Sequence, residues 1–262
     1  DANVSTLKDP WIAFDAEGVF SSPATITLTS TGVTLGAENA FLDGEAADRV
    51  QITNTNGGIV LTLSGENVTV QDLNIGPATN SGIMVDMDPL SSATLKRVTV
   101  RNCNTAFLFN GGILHKRGDL TVSNCTLSGN SPAGIWFRPM ELNATLTVVN
   151  STVTGNSSST NCPGINVAGD YSGSLTFGNC IVSGNTTTGN DDLSIDGPPG
   201  SNNLGHNLLS EPFVTPNNDI IAADPRLAPL AANGHKTLTH ALLLDSPAID
   251  GGAASFTGGV SV

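Results

Sequence analysis

Positive charge is what this sequence has least of. Asp, Glu, Lys and Arg together make up only 13% of the 262 residues, and 23 acids stand against 10 bases, for a net charge of −13. Neutralising phosphates takes a basic footprint, so nucleic acid and anionic membrane surfaces are excluded as partners. No apolar run reaches the ~18 residues of a transmembrane helix, so no membrane span is expected. No window shows apolar residues at the helical period of 3.6, which excludes an α-helical core. There is no Gly-rich phosphate loop and no Gly-Xaa-Ser-Xaa-Gly elbow. His206, His235 and His240 are scattered without Cys or His neighbours at ligand spacing, which excludes a zinc site. Aromatics are rare at 5%. The abundant residues are Gly, Ser, Thr and Asn, which suit turns and stacked polar columns.

Those residues are ordered. Gly118 to Phe137 (GDLTVSNCTLSGNSPAGIWF) holds two short apolar alternations, a Ser-Gly-Asn break and a third apolar run. Asn67 to Val85, Ala144 to Val167 and Gly173 to Asn185 repeat that order. Aligning Val68, Leu95, Leu120, Leu146 and Leu175 gives steps of 27, 25, 26 and 29 residues. A unit of three short strands cannot bury its apolar face alone, so copies must stack. The expected fold is all-β, a single-stranded parallel β-helix with three strands per coil, ranked ahead of a β-sandwich because a sandwich would not repeat one pattern in every coil; the resemblance given below makes it right-handed. One domain covers 1–262: N-terminal coils and a cap over 1–63, regular coils over 64–201, and a capping tail over 202–262. Trp11, Phe14 and Phe20 are candidates to close the first coil.

Stacking assigns side chains to columns. Leu73, Val98, Cys125, Ser151 and Cys180 share one inward column, so Cys125 and Cys180 lie two rungs, or roughly 9.6 Å, apart. That exceeds the ~7 Å limit for a disulfide, and both are expected to be buried free thiols. Cys103 and Cys162 fall in turns that the repeat does not relate to each other. Asp72, Arg97, Asn124, Asn150 and Asn179 share a corner, expected to be buried and to bond backbone groups that the strands leave unpaired.

The third strand carries the candidate site. Ile83, Val85, Phe107, Phe109, Ile135, Phe137, Ile165 and Val167 are expected to point inward. The alternation then puts Met84, Leu108, Trp136 and Asn166 outward, followed by Asp86, Asn110, Arg138 and Ala168. Asp88, Glu141, Tyr171 and the run His115-Lys116-Arg117 come from adjoining loops. An outward Trp136 beside Asp86, Asn110, Asp88, Glu141 and Tyr171 would stack on a sugar ring and bond its hydroxyls; the alternative is that the loop from Asn110 to Gly118 covers the strip. A uronate lyase would use Arg138 to neutralise the substrate carboxylate, with Lys116 or His115 as the base. A hydrolase would use Asp86 with Glu141. Asp191, Asp192 and Asp196 form a candidate calcium site through oxygen ligands.

Ser201 to Leu209 (SNNLGHNLL) and Asp224 to Gly252, with its Ser-Pro-Ala-Ile-Asp-Gly run, resemble the C-terminal signature of choice-of-anchor Q domain proteins. The resemblance implies a bacterial, exported member of the pectin-lyase-like right-handed β-helix class, secreted or held at the cell surface. Such a protein's targeting segment would lie outside this sequence. The catalytic motifs of that class are incomplete here: Arg138-Pro139-Met140-Glu141 lacks the second Arg of the pectate-lyase segment. The expected function is therefore binding of a polysaccharide or cell-surface glycan along one face, by a monomer. The alternatives are a uronate lyase, an adhesin stalk or spacer, and an ice-binding face formed by Thr69, Thr121, Thr147 and Thr176, a column that Lys96 would interrupt.

Overall fold

The computed structural model describes residues 11–14, 18–22, 25–29, 32–37, 50–54, 56–107, 110–141, 143–159, 162–168, 173–187, 192–196, 200–213 and 217–254. These residues hold 22 strands and no helix, and every strand-to-strand ladder is parallel. The chain coils as a right-handed parallel β-helix. The first and second strands of each coil join in one sheet, and the third strands stack in a separate sheet of seven, from Ile26–Leu28 to Leu193–Asp196. Parallel stacking continues past residue 201, through Ser201–Gly205, Leu208–Leu209 and Ile220–Ile221, before the tail turns irregular. Among the described residues no helix is long and apolar enough to cross a membrane. The capping roles of Trp11, Phe14 and Phe20 rest on side chains outside the described residues.

Register corrects one expectation. The inward column of the first strand is Val68, Ala93, Leu120, Leu146 and Leu175, while Leu95 lies two residues further along, level with Val70 and Val122. A slip of two keeps inward residues inward because the strand period is two. It does change neighbours, and Thr94, not Lys96, stands between Thr69 and Thr121. Thr34, Thr69, Thr94, Thr121, Thr147 and Thr176 thus form an unbroken outward column closed by Asn202.

The corner between first and second strands needs one left-handed residue per coil. Asp72, Arg97, Asn124, Asn150, Asn179 and His206 all have φ between 51° and 57°. Asn and Asp tolerate that conformation because their short polar side chains bond locally. Arg97 is the unusual occupant, and its guanidinium holds Asp72 of the preceding coil through two bonds of 2.6 and 2.8 Å. Asn124 is exposed at this corner, so it is not the buried backbone-bonding column.

That role belongs to the Asn of the Ser-Gly-Asn break. Asn130 Nδ2 donates to Asn156 Oδ1 at 3.0 Å, and Asn156 Nδ2 to Asn185 Oδ1 at 2.8 Å. The same amides donate to the carbonyls of Val100 and Leu127 and accept from the backbone N–H of Cys103 and Asn130. Asn130 and Asn156 are fully buried, so each bond replaces a group that would otherwise lie unpaired in the core. Room for this ladder comes from Gly112 and Gly134, members of a column with Gly82 and Gly164 that stands one residue before the third strand. A Cβ on Gly112 would approach Asn130 Nδ2 to 2.7 Å, and one on Gly134 would approach Asn156 Nδ2 to 3.0 Å.

All four cysteines are buried and free. Desolvation pushes Cys103 and Cys125 up to about 12 and Cys180 up to about 11, so these thiols stay protonated. The tail returns along the outside of the second strands as a hairpin, with antiparallel bridges Leu227↔Leu242 and Ala231↔Thr239. Asn74 clamps it by donating to the Lys236 carbonyl and accepting from Leu238 N. Thr99 donates to the Leu238 carbonyl, and His240 Nε2 lies 2.9 Å from Ser128 Oγ. Further along, Asn179 and Ala253 exchange two bonds of 2.8 Å.

Candidate functional site

The third strand of the coil between Gly111 and Asp119 is Ile113–Arg117, not the segment around Phe107 to Phe109. Gly112-Ile113 opens it just as Gly82-Ile83, Gly134-Ile135 and Gly164-Ile165 open three others; a Cβ at Gly112 or Gly134 would strike the Asn ladder, and one at Gly82 or Gly164 would strike Cys103 Sγ or the Asp192 carbonyl. Ile113 pairs with Ile83 and Ile135, Leu114 with Met84 and Trp136, and His115 with Val85 and Phe137. Phe107 is 64% exposed rather than inward, and Leu108 and Phe109 lie outside the described residues.

Two candidates for substrate contact are therefore inside. Trp136 does point outward from the coil, but it is only 2% exposed, packed with Leu114, Ala133, Met84 and Ala168. It offers no ring face to a sugar. The segment from Asn110 to Gly118 contributes Leu114 to that burial, as the adjoining strand Ile113–Arg117 rather than as a loop. His115 points into the core and is fully buried, stacked on Phe137 with ring centroids 4.5 Å apart. Its Nε2 donates to the Gly118 carbonyl at 2.8 Å, and its Nδ1 finds no partner among the described residues. Burial pushes its pKa down to about 4, so the ring is neutral at pH 7, but substrate cannot reach it.

The downstream rim of the third sheet brings several other candidates together. A bulge after His115 sets Arg117 level with Asp86, and Lys116 beside it. Arg117 Nε donates to Asp86 Oδ1 at 2.5 Å, and Lys116 Nζ stands 3.8 Å from Asp86 Oδ2. The next coil stays alongside beyond Phe137, as Arg138 N donates to the His115 carbonyl and Met140 N to the Lys116 carbonyl. Arg138 is exposed on this rim. Glu141 reaches back and accepts from Gly118 N at 2.7 Å, so one of its oxygens fixes a turn. Asp88 is exposed in the loop after Asp86.

Asn110 lies at the opposite end of the sheet, where its Nδ2 donates to Asn80 Oδ1. The length of Ile113–Arg117 alone separates it from Asp86 by about 13 Å at ~3.3 Å per residue, so the two cannot flank one sugar. The calcium set is likewise divided. Asp192 precedes the strand Leu193–Asp196 that Asp196 ends, which also puts the two about 13 Å apart. Asp192 is buried, with its backbone bonded to Ile165 N and the Glu211 side chain. No cluster of three potential metal ligands occurs among the described residues. Asp191 and Tyr171 lie outside the described residues.

What remains is a rim carrying Lys116, Arg117 and Arg138, three of the chain's ten basic residues, interleaved with Asp86 and Asp88. Arg117 was open to detection from sequence, because a Gly-Ile dipeptide marks where four successive third strands begin, at Ile83, Ile113, Ile135 and Ile165. Residues 38–138 match the family model described as "Right handed beta helix region". That match and the solenoid topology agree on a right-handed parallel β-helix. No curated protein and no solved structure matches the chain.

Proposed function

We propose that this protein is a non-enzymatic, extracellular β-helix that binds an acidic polysaccharide along the downstream rim of its third sheet. The observation that carries the reading is the gathering of Lys116, Arg117 and Arg138 on one rim of an otherwise acidic molecule. Uronate carboxylates suit guanidinium donors, and Asp86 and Asp88 supply acceptors for sugar hydroxyls. Residence outside the cell is supported by the acidic composition and by the tail's resemblance to choice-of-anchor Q domain proteins. Catalysis gains less support, because burial removes His115 and leaves Lys116, beside Asp86, as the base for a lyase.

The test is affinity electrophoresis on uronate-containing and neutral polysaccharides, with ultraviolet detection of unsaturated uronate. Retardation on the acidic polymers alone is expected, weakened by salt. Arg138→Ala should weaken it about fivefold to tenfold, because an exposed charge-assisted bond contributes about 1 kcal/mol. Unsaturated product would replace binding by lysis, and equal mobility on every polymer would refute the rim.

A second reading rests on a different observation, the unbroken threonine column. Six hydroxyl-bearing side chains repeat at about 4.8 Å along a parallel sheet, a regular array suited to ordered water at an ice surface. Thermal hysteresis that disappears in Thr121→Lys would favour it, and freezing behaviour like that of any other solute would exclude it.

A further inference from the structure

Three Asn-Gly pairs occur in the chain, Asn56-Gly57, Asn110-Gly111 and Asn233-Gly234, and the fold treats them differently. A backbone nitrogen that follows asparagine is least shielded when it belongs to glycine, which has no Cβ and a wide range of φ and ψ. In the first two pairs that nitrogen is held. Gly57 N donates to the Asn54 carbonyl, and a Cβ there would come within 2.1 Å of Thr79 Oγ1. Gly111 is buried and its N donates to Ser81 Oγ, while the Asn110 amide is bonded to Asn80. Asn233 and Gly234 are both exposed, in the loop that closes the returning hairpin beyond the bridge Ala231↔Thr239. Gly234 N has no hydrogen-bond partner among the described residues, and a Cβ on Gly234 would meet no atom within 4 Å.

We propose that Asn233-Gly234 is a self-modifying site, where the chain reacts with water alone and slackens its own hairpin. Gly234 N attacks Asn233 Cγ. The N–Cγ bond forms, the Cγ–Nδ2 bond breaks, and Nδ2 leaves as ammonia with the proton that Gly234 N gives up. Water then opens the cyclic imide at either carbonyl, leaving an aspartate or an isoaspartate linkage, so no oxidant or cofactor is consumed. The structural cost falls on one contact. Asn233 Nδ2 donates to the Thr239 carbonyl at 2.9 Å and to Thr239 Oγ1 at 3.1 Å. A carboxylate has no N–H to give and sets negative charge against that carbonyl. Leu238, the next residue, is the one that Asn74 and Thr99 grip, so the slack reaches the point where the hairpin is tied to the coils. The same two bonds hold the carboxamide until the loop opens, which makes the folded chain react more slowly than the unfolded one.

Peptide mass spectrometry on the full chain, kept in mildly alkaline buffer, tests this. The peptide carrying Asn233 should gain about 1 Da, as a mixture of aspartate and isoaspartate, well before those carrying Asn56 or Asn110. Isoelectric focusing should show one added negative charge per chain. Asn233→Gln should abolish both changes, because its longer side chain cyclises far more slowly. Asn233→Asp, which copies one product, should exchange the N–H groups of Thr239 and Leu238 for deuterium about tenfold faster than wild type. Conversion of Asn56 or Asn110 ahead of Asn233 overturns the proposal. So does an Asn233 that stays intact while the same chain unfolded in urea converts, or an Asn233→Asp variant whose exchange at Thr239 and Leu238 is unchanged.

Discussion

Replacing His115 by Phe isolates the one imidazole that the fold holds neutral in its core. The ring sits between Val85 and Phe137 in an inward column, so a phenyl ring continues the stack on Phe137. At pH 7 two effects oppose. The substitution removes a bare, buried Nδ1, a group whose isolation costs about 1–3 kcal/mol, and it forfeits the bond to the Gly118 carbonyl, a comparable loss. The variant should match wild type within about 1 kcal/mol. Acid separates them. The imidazole pKa falls from 6.5 in the unfolded chain to about 4 in the folded one, so between those values the unfolded chain binds more protons. Wild-type stability is then fully present above pH 6.5 and is lost as pH falls towards 4. The loss amounts to about 3 kcal/mol at 1.36 kcal/mol per pH unit. The carboxylates that also titrate there are shared by both proteins and cancel in the difference. Urea unfolding of the pair at pH 7, 6, 5 and 4 should show the variant gaining on wild type by about 3 kcal/mol over that range. A difference that stays flat across these pH values refutes a neutral, buried His115.

Three further outcomes follow from the packing. Asn156→Ala should cost several kcal/mol in chemical unfolding, since it strands the Leu127 carbonyl, the Asn130 N–H and two amide neighbours at about 1–3 kcal/mol each. Trp136→Ala should lower stability by about 3–5 kcal/mol while leaving polysaccharide retention unchanged at temperatures where it is folded, because the indole is core and not contact surface. Alkylation without reductant should label no cysteine in the native protein and all four after unfolding; fewer labels after unfolding would mean a bridge.

The coil was legible because stacking imposes one rule on every repeat, and Leu120, Leu146 and Leu175 obey it. The misplacement of Leu95 shows where that rule weakens. Inward and outward alternate every two residues, so a slip of two leaves the apolar pattern unchanged, and only the pairing of Ala93 with Leu120 reveals it. The same ambiguity displaced the third strand at residues 107–109. There the run Phe107-Leu108-Phe109 is more apolar than Ile113-Leu114-His115, yet the glycine required beside the Asn ladder decides the matter. The burial of Trp136 was not legible, since the columns show which way a side chain leaves the coil and not what packs over it. Nor was the division of the carboxylates: Asp192 and Asp196 are near in sequence, but an extended strand carries them apart.

The hairpin that runs back over the outside has a mechanical consequence. A solenoid held only by contacts between adjacent turns can peel from either end, one turn at a time. Here Asn74 and Thr99, in the third and fourth coils, and Asn179, towards the C-terminal end, grip the same returning segment, while two coils precede all of these bonds. Loosening any turn between Asn74 and Asn179 therefore tugs on that lashing, and this stretch of the rod should come apart in a single concerted event, while the two coils ahead of it are left to fray.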